Sequence, residues 1–468
     1  MNILVICADT FRADYLGCYG NSWIKTPHID KLAGEGILFD EFYGEALPTI
    51  PARRVLYTGR KAFPFSYHQQ KGDMVQLPGW HPIYDEDITL AEHLSDLGYT
   101  TGLVSDLYHM MKPGKNFHRG FHSWEWIRGQ EADPFIPTSK PNQNVSKYIG
   151  SKVDINPGKH RLMSQYLNNR SWWKDESDHF AGQVMQSAAS WITRYGSKKP
   201  WMLWIESFDP HEPWDAPKEF LELYSSTDYQ GKEPIWPSGL VDNYTKDEFN
   251  RIKAHYAGEC SHVDRWVGHI VETLQSQHLL NDTIVVFMSD HGCIMGEQGQ
   301  IHKGQDRLRI QATRCPLIIR MPEAQYAGTV VDGFVQHQDI MPTLLGLIEQ
   351  HVPKRCNGQN FWPLVTKKEP IDLHDIIVSG FGWYASVRTA GWNYQAPWTE
   401  ADNQRPPELY NRKKDPDELI NAIEDYPSIA KDLQAHLDKV MRTTHLTEGQ
   451  LGQISETNTP AAVPGVKW

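Results

Sequence analysis

The stretch ILVICADT, Ile3 to Thr10, opens on an unbroken apolar run and closes on a carboxylate at Asp9. A short run without polar alternation reads as a strand buried on both faces. The pattern recurs along the chain. Thr100 to Val104 leads to Asp106, Trp201 to Ser207 leads to Asp209, and Thr283 to Met288 leads to Asp290. Pro316 to Arg320 is a further strand. Helical patterns separate these runs at Asp30 to Glu35, Thr89 to Leu97, His179 to Tyr195, Arg251 to Gln275 and Gln338 to Leu347. Gly98 suits the C-terminal cap of the second. Strands alternating with helices predict an α/β fold, with a large mixed β-sheet sandwiched by helices. Sites in such sheets form outside the carboxyl ends of the strands, where these four aspartates fall.

Near residue 366 the pattern shifts to shorter, aromatic-rich strands, Ile376 to Trp383 and Ala385 to Arg388. A helix follows at Ser428 to Met441, just after Pro427. The chain therefore divides into a large α/β domain, residues 1–365, and a smaller C-terminal α+β subdomain, residues 366–468. The latter is expected to hold a small antiparallel sheet, a helix and an irregular tail from Glu448.

The chain has 468 residues, 40% of them hydrophobic, enough to bury a large core. A net charge of −12 argues against a nucleic-acid binder that neutralises phosphates non-specifically. A local basic pocket for an anionic ester stays open. Met1 and Asn2 lead straight into the first strand, so no signal peptide is expected. No stretch reaches bilayer-spanning length, so no membrane partner is expected. The six cysteines are scattered without metal-ligand spacing, which predicts free thiols and a cytoplasmic location. A homo-oligomer is left open.

Four constellations can carry chemistry. Asp9 at a strand end suits a hard cation, although such an Asp also serves as a turn residue. In Thr49-Ile50-Pro51-Ala52-Arg53, Pro51 fits the first turn of a helix and Thr49 its N-cap region. That places a hydroxyl in the positive end of the helix dipole, with Arg53 one turn along. Such an arrangement can hold an anionic ester against a nucleophile, and it can equally be a plain cap. Asp290-His291 can both reach one cation, with Lys303 beyond for an ester oxygen. Phe208-Asp209-Pro210-His211-Glu212-Pro213-Trp214 holds His211 in a loop fixed by prolines.

Together, in order and spacing, these segments resemble the sulfatase family of the alkaline-phosphatase superfamily. The resemblance spans ILVICADTFRADYLGCYG, TPHIDKLAGEGILFDEFY, TIPARRVLYTGR, DTIVVFMSDHG, HQDIMPTLLGL and ELYNRKKDPDELINA. It implies that Asp9, Asp290 and His291 are metal ligands. Thr49 matches the nucleophile, which also touches the metal. Arg53 matches the arginine that steadies the nucleophile. Lys303 and His211 match groups that bind the ester oxygens and serve the leaving group, and His109 is a lesser candidate. WEWIRGQEAD, Trp124 to Asp133, looks like a loop that shapes the substrate pocket.

Two departures matter. Thr10 replaces a second Asp that the family often carries, which opens the choice of metal between calcium and manganese. One divalent ion is expected: two-metal relatives need a second cluster of Asp and His ligands, whereas Lys303 sits where a sulfatase keeps a lysine. Thr49 stands where sulfatases carry the Cys or Ser that matures to formylglycine, and threonine cannot form that aldehyde. The similarity is to a subgroup with Thr at this point. The expected function is metal-dependent hydrolysis of a phosphate, phosphonate or sulfate ester through a covalent Thr49 intermediate. The substrate is expected to be a small-molecule or saccharide anionic ester. The alternatives are a sulfate-specific sulfatase without formylglycine and a non-catalytic sulfatase-like binding protein. Trp172, Trp173, Trp214 and Trp383 are candidates for a sugar platform or for the core.

Overall fold

The computed structural model describes residues 1–66, 72–73, 75–137, 143–366, 373–399 and 405–442. Its centre is an eight-stranded sheet. In chain order the strands are β1 (Asn2–Ala8), β2 (Ile37–Phe39), β3 (Thr100–Ser105), β4 (Ser123–Trp126), β5 (Trp201–Ser207), β6 (Thr283–Ser289), β7 (Leu317–Arg320) and β8 (Thr329–Val331). Across the sheet they stand β8-β2-β7-β6-β1-β5-β3-β4. β7 runs antiparallel to both neighbours, and the other pairings are parallel. The expected large mixed sheet is the observed one.

The continuous apolar runs follow from burial on two faces. In β1, Leu4, Ile6 and Ala8 join one core and Ile3, Val5 and Cys7 join the other. The first core is closed by helices Pro27–Gly34, Phe180–Tyr195 and Lys246–Ser276. The second is closed by Thr49–Thr58, Leu90–Asp96 and Ile340–Leu347.

The structure corrects the sequence reading in three places. The long helix starts at Lys246 rather than Arg251, because Thr245 and Glu248 cap it reciprocally. The helix Pro157–Asn169 has no counterpart in the sequence reading, although Asn156 as N-cap and Pro157 as first residue were legible start signals. The strand expected over Ile376 to Trp383 ends at Phe381. Gly382 adopts φ +56° there, and Gly382-Trp383 turn the chain into the next strand.

That hairpin belongs to a second sheet of β9 (Ile377–Phe381), β10 (Tyr384–Arg388), β11 (Trp392–Pro397) and β12 (Glu408–Asn411). These four strands pair antiparallel, with helix Pro427–Arg442 packed against them. The fifth strand, Ala46–Leu47, comes from the large domain and pairs parallel with β9, Ala46 opposite Gly380. The two parts are thus joined immediately before Thr49. The expected division near residue 366 borders residues 367–372, and the tail from Glu448 lies outside the described residues. All six cysteines are free. Among the described residues no helix is long and apolar enough to cross a membrane.

A buried ion pair fastens the small sheet to the large domain. Glu418, fully buried, accepts from Arg388, from Asn393 Nδ2 (2.7 Å) and from the Ile310 amide (2.8 Å). Glu418→Ala would leave the Arg388 guanidinium, 1% exposed, without its counter-ion. The expected loss is about 3 kcal/mol, read as a lower urea midpoint. An unchanged midpoint would show that the pair adds nothing to cohesion.

Candidate active site at the carboxyl edge of the sheet

β6, β1, β5 and β3 are consecutive in the sheet, and Asp290, Asp9, Asp209 and Asp106 follow their carboxyl ends. All four are buried. Asp9, Asp290 and His291 place ligand atoms within 4.8 Å of one another. The His291 Nδ1–H donates to the Gly292 carbonyl (2.9 Å), which turns Nε2 inward. That nitrogen lies 3.4 Å from Asp290 Oδ2 and 3.8 Å from Asp9 Oδ1, and no hydrogen bond satisfies it. Burial pushes His291 down to about 4, so the ring is neutral at pH 7 with a lone pair available. Burial and the neighbouring Asp290 raise the Asp9 carboxyl above its ordinary range. For Asp290 burial acts upward, but His291 and Arg53 outweigh it and hold the carboxyl low. Buried oxygens and an unsatisfied imidazole nitrogen fit a divalent cation with mixed O and N ligands.

One guanidinium organises this edge. Arg53 is fully buried. Its Nη1 lies 2.5 Å from Asp290 Oδ2, 3.1 Å from Asp9 Oδ2 and 3.1 Å from the Thr49 carbonyl. Its Nε donates to Glu206 Oε2 at 2.9 Å. Nη2 is buried and makes no hydrogen bond. Glu206 is the residue that sequence reasoning missed. It sits inside the apolar strand β5, where an acidic residue was the available signal. Tyr57 (3.1 Å) and Trp204 (2.7 Å) also donate to its carboxylate. Burial raises the Glu206 carboxyl, against the pull of Arg53. Thr49 is the first residue of its helix, with Pro48 at the cap position rather than Thr49 itself. The Arg53 contact to its carbonyl keeps it beside the two aspartates.

The position of the missing second Asp is filled in an unusual way. Thr10 has φ +61°, a left-handed backbone that β-branched residues rarely adopt. Its amide donates to Asp290 Oδ1 (3.0 Å) and its hydroxyl to Asp9 Oδ1 (2.7 Å), while Tyr256 clasps its carbonyl (2.8 Å). These bonds hold a strained residue in place. Lys303 Nζ donates to the Thr10 hydroxyl at 3.1 Å, so Lys303 stands beside the carboxylate cluster.

His211 stacks on Phe208 with ring centroids 4.0 Å apart, and its Nδ1–H donates to the Glu212 carbonyl (2.6 Å). Burial pushes it well below the ordinary histidine range, so it rests neutral. Glu212 lies between Lys303 Nζ (3.5 Å), His211 Nε2 (3.6 Å) and His302 Nε2, which contacts it. Burial would raise this carboxyl, but those three neighbours hold it well below its usual value. His109 touches the other half of the site. Its Nε2 pairs with Glu131 (2.8 Å), and its ring lies 6.5 Å from that of Phe208.

Asp106 and Asp209 do not join the candidate metal cluster. Gln130, from the WEWIRGQEAD loop, donates to Asp209 Oδ1 (2.9 Å) and reaches Asp106 Oδ2 (3.5 Å). Asp106 accepts from the Phe208 amide, and Asp209 from the Ala181 amide at the start of a helix. These carboxylates position the loop that carries His211. Of the candidate aromatics, Trp214 is fully buried against Tyr256, and Trp173 packs on Tyr166 and Phe180. Trp172 is exposed, and Trp383 is part-buried at the Gly382 turn.

The profile of the family described as Sulfatase matches residues 1–350, about three quarters of the chain. The chain belongs to the sulfatase family. A second profile, N-sulphoglucosamine sulphohydrolase C-terminal, matches residues 306–445. This sulfatase-family chain is 27% identical over 455 residues to an arylsulfatase of Clostridium perfringens, covering 90% of each. It is 25% identical over 510 residues to an N-acetylgalactosamine-6-O-sulfatase of Bacteroides thetaiotaomicron, covering 94% of this chain and 93% of that one. In fold it is similar to the phosphonate monoester hydrolase of Agrobacterium radiobacter, with TM-score 0.72, 21% identity and coverage of 95% and 96%. The chain is an ester hydrolase of this family, a family that binds a divalent metal.

Asp290→Asn removes one charge from the candidate ligand set. After equilibration with buffered Mn²⁺ or Ca²⁺, metal content by plasma mass spectrometry is expected to fall at least about tenfold. Circular dichroism should stay unchanged. Full metal retention would remove Asp290 from the ligands.

Proposed function

We propose that this chain hydrolyses phosphate or phosphonate esters by in-line displacement, with Thr49 as nucleophile. Asp9, Asp290 and His291, together with the Thr49 hydroxyl, would hold one divalent cation. The observation that carries the reading is Thr49 itself. A threonine has no route to formylglycine, yet Asp9, Asp290, His291, Arg53 and Lys303 are all retained at the same sheet edge. A non-catalytic binding protein would have no need of them.

When bound, the cation would lower the pKa of the Thr49 hydroxyl and neutralise charge on the ester oxygens. The protein's own groups perform the rest. Thr49 releases its hydroxyl proton to solvent, Oγ1 attacks phosphorus, and the bond from phosphorus to the alkoxy oxygen breaks. The unsatisfied Arg53 Nη2 and the Lys303 ammonium stabilise the equatorial oxygens. His211 rests neutral, and an anionic ester beside it favours its protonated form. From that form it gives a proton to the departing alcohol, with His109 the lesser candidate for this role. Water then attacks phosphorus and gives a proton to the now neutral His211, the bond to Oγ1 breaks, and Thr49 takes a proton from solvent to regain its hydroxyl.

Sulfate esters of saccharides are the second reading, favoured by the names of the relatives. Their weakness is the second half-reaction, because a threonine sulfate lacks the elimination route of the formylglycine hydrate.

Thr49→Ala is expected to lower turnover of a nitrophenyl phosphodiester or phosphonate by on the order of 1000-fold. Mass spectrometry of the Thr49 peptide after quenching should show an added phosphoryl group. A variant with full activity would overturn the nucleophile assignment. Turnover of sulfate esters alone would transfer the assignment to the second reading.

A further inference from the structure

His211, His291 and His302 share one local device. In each, Nδ1 faces the carbonyl of the next residue: Glu212 (2.6 Å), Gly292 (2.9 Å) and Lys303 (3.1 Å). This turns each Nε2 away from that carbonyl. Only for His302 does Nε2 meet a hydrogen-bond acceptor, the buried Glu212 Oε1. Both ring nitrogens of His302 thus face acceptors, a carbonyl and a carboxylate. A neutral imidazole has one N–H and leaves one acceptor opposed to a lone pair. The imidazolium has two and satisfies both. His302 is held in this pose by a left-handed backbone, φ +76°, an uncommon conformation for a non-glycine residue.

The consequence falls on Lys303. Glu212 Oε2 has no hydrogen bond, and Lys303 Nζ lies 3.5 Å from it. An unneutralised buried carboxylate would draw that ammonium into a full ion pair and repel an anionic ester. We propose that His302 is a positioning residue, a protonated counter-ion to Glu212 that lets Lys303, held by the Thr10 hydroxyl, turn its remaining donors to the substrate's anion. The inference rests on the anionic-ester reading of the site and names its charge regulator.

Other charged or titratable groups face this pair, among them the buried Glu259 of the long helix Lys246–Ser276 and the buried Cys293 thiol, both within electrostatic reach of Glu212. The loop after β5 contributes His211 as well as Glu212. Lys159, from the helix Pro157–Asn169, lies within electrostatic reach of Glu212 and donates to Ser238 Oγ (3.1 Å). The adjoining strand Gly239–Leu240 pairs with Gln300–His302. Arg307 Nη1 donates to the Ile301 carbonyl at 3.3 Å.

A double-mutant cycle tests the proposal, with inorganic phosphate as probe and calorimetry on the metal-loaded full chain as readout. His302→Gln should weaken phosphate binding about tenfold, and raise KM for a phosphodiester more than it lowers kcat. Adding Glu212→Gln to that variant should restore binding to near the wild-type level, since the carboxylate that captures Lys303 is gone. His302→Arg, which keeps the charge, should bind phosphate within a few-fold of wild type. Histidine ¹⁵N shifts of the wild-type chain at pH 7 should show His302 as imidazolium. A neutral His302, or a double variant as weak as His302→Gln alone, would overturn the proposal. So would a wild-type chain that binds no phosphate. Phosphate binding is read without turnover. A chain that shows the cycle yet cleaves no ester would sink the proposed function and leave this inference standing.

Discussion

The active-site edge depends on one buried guanidinium. Arg53 reaches Asp9, Asp290, Glu206 and the Thr49 carbonyl, all out of contact with solvent. Burying such charges is costly unless each finds a partner in good geometry. Here three carboxylates share one cation, so negative charge remains in excess. Burial, and after it the charge of Asp290, raise the Asp9 carboxyl, and a divalent cation would relieve the excess. The same guanidinium fixes where the helix Thr49–Thr58 begins relative to β1 and β6. The geometry of the candidate metal ligands and the placement of Thr49 are therefore consequences of a single ion cluster.

The aspartates after β3, β5, β1 and β6 look equivalent in sequence, but their surroundings divide them. Asp9 and Asp290 face Arg53 and His291. Asp106 and Asp209 face backbone amides and the Gln130 side chain. The first pair is arranged for a cation, while the second fixes loops by accepting N–H groups. A row of similar residues thus supports two kinds of work because only Asp9 and Asp290 also meet a buried guanidinium and an imidazole.

Much of the fold could be read directly from the residues. Strands buried on both faces leave continuous apolar runs, and β5 fell on the very residues expected, Trp201–Ser207. What escaped were features set by tertiary context. The helix Pro157–Asn169 is too polar to show a clear face. Gly382 ends a strand because only the hairpin demands its positive φ. For the site, Asp9, Thr49, Arg53, Asp290, His291 and Lys303 were named by family resemblance, and the structure places them at one edge. Glu206 and the pairing of Glu212 with His302 were not foreseen. Both depend on partners far away in sequence, and an isolated Glu carries no sign of which cation it will meet.

The edge strand Ala46–Leu47 has a consequence for how the protein is made. It is held by β9, through Gly380 N to the Glu45 carbonyl (2.9 Å) and Ser379 Oγ to the Gly44 carbonyl. The segment entering Thr49 therefore waits for a partner more than three hundred residues downstream. On a ribosome releasing the chain from its amino end, Thr49 emerges well before the residues that support its entering segment. All eight strands of the large sheet also precede β9 in the chain. Assembly order thus makes the final placement of Thr49 a late event, one that follows the closing of the small sheet.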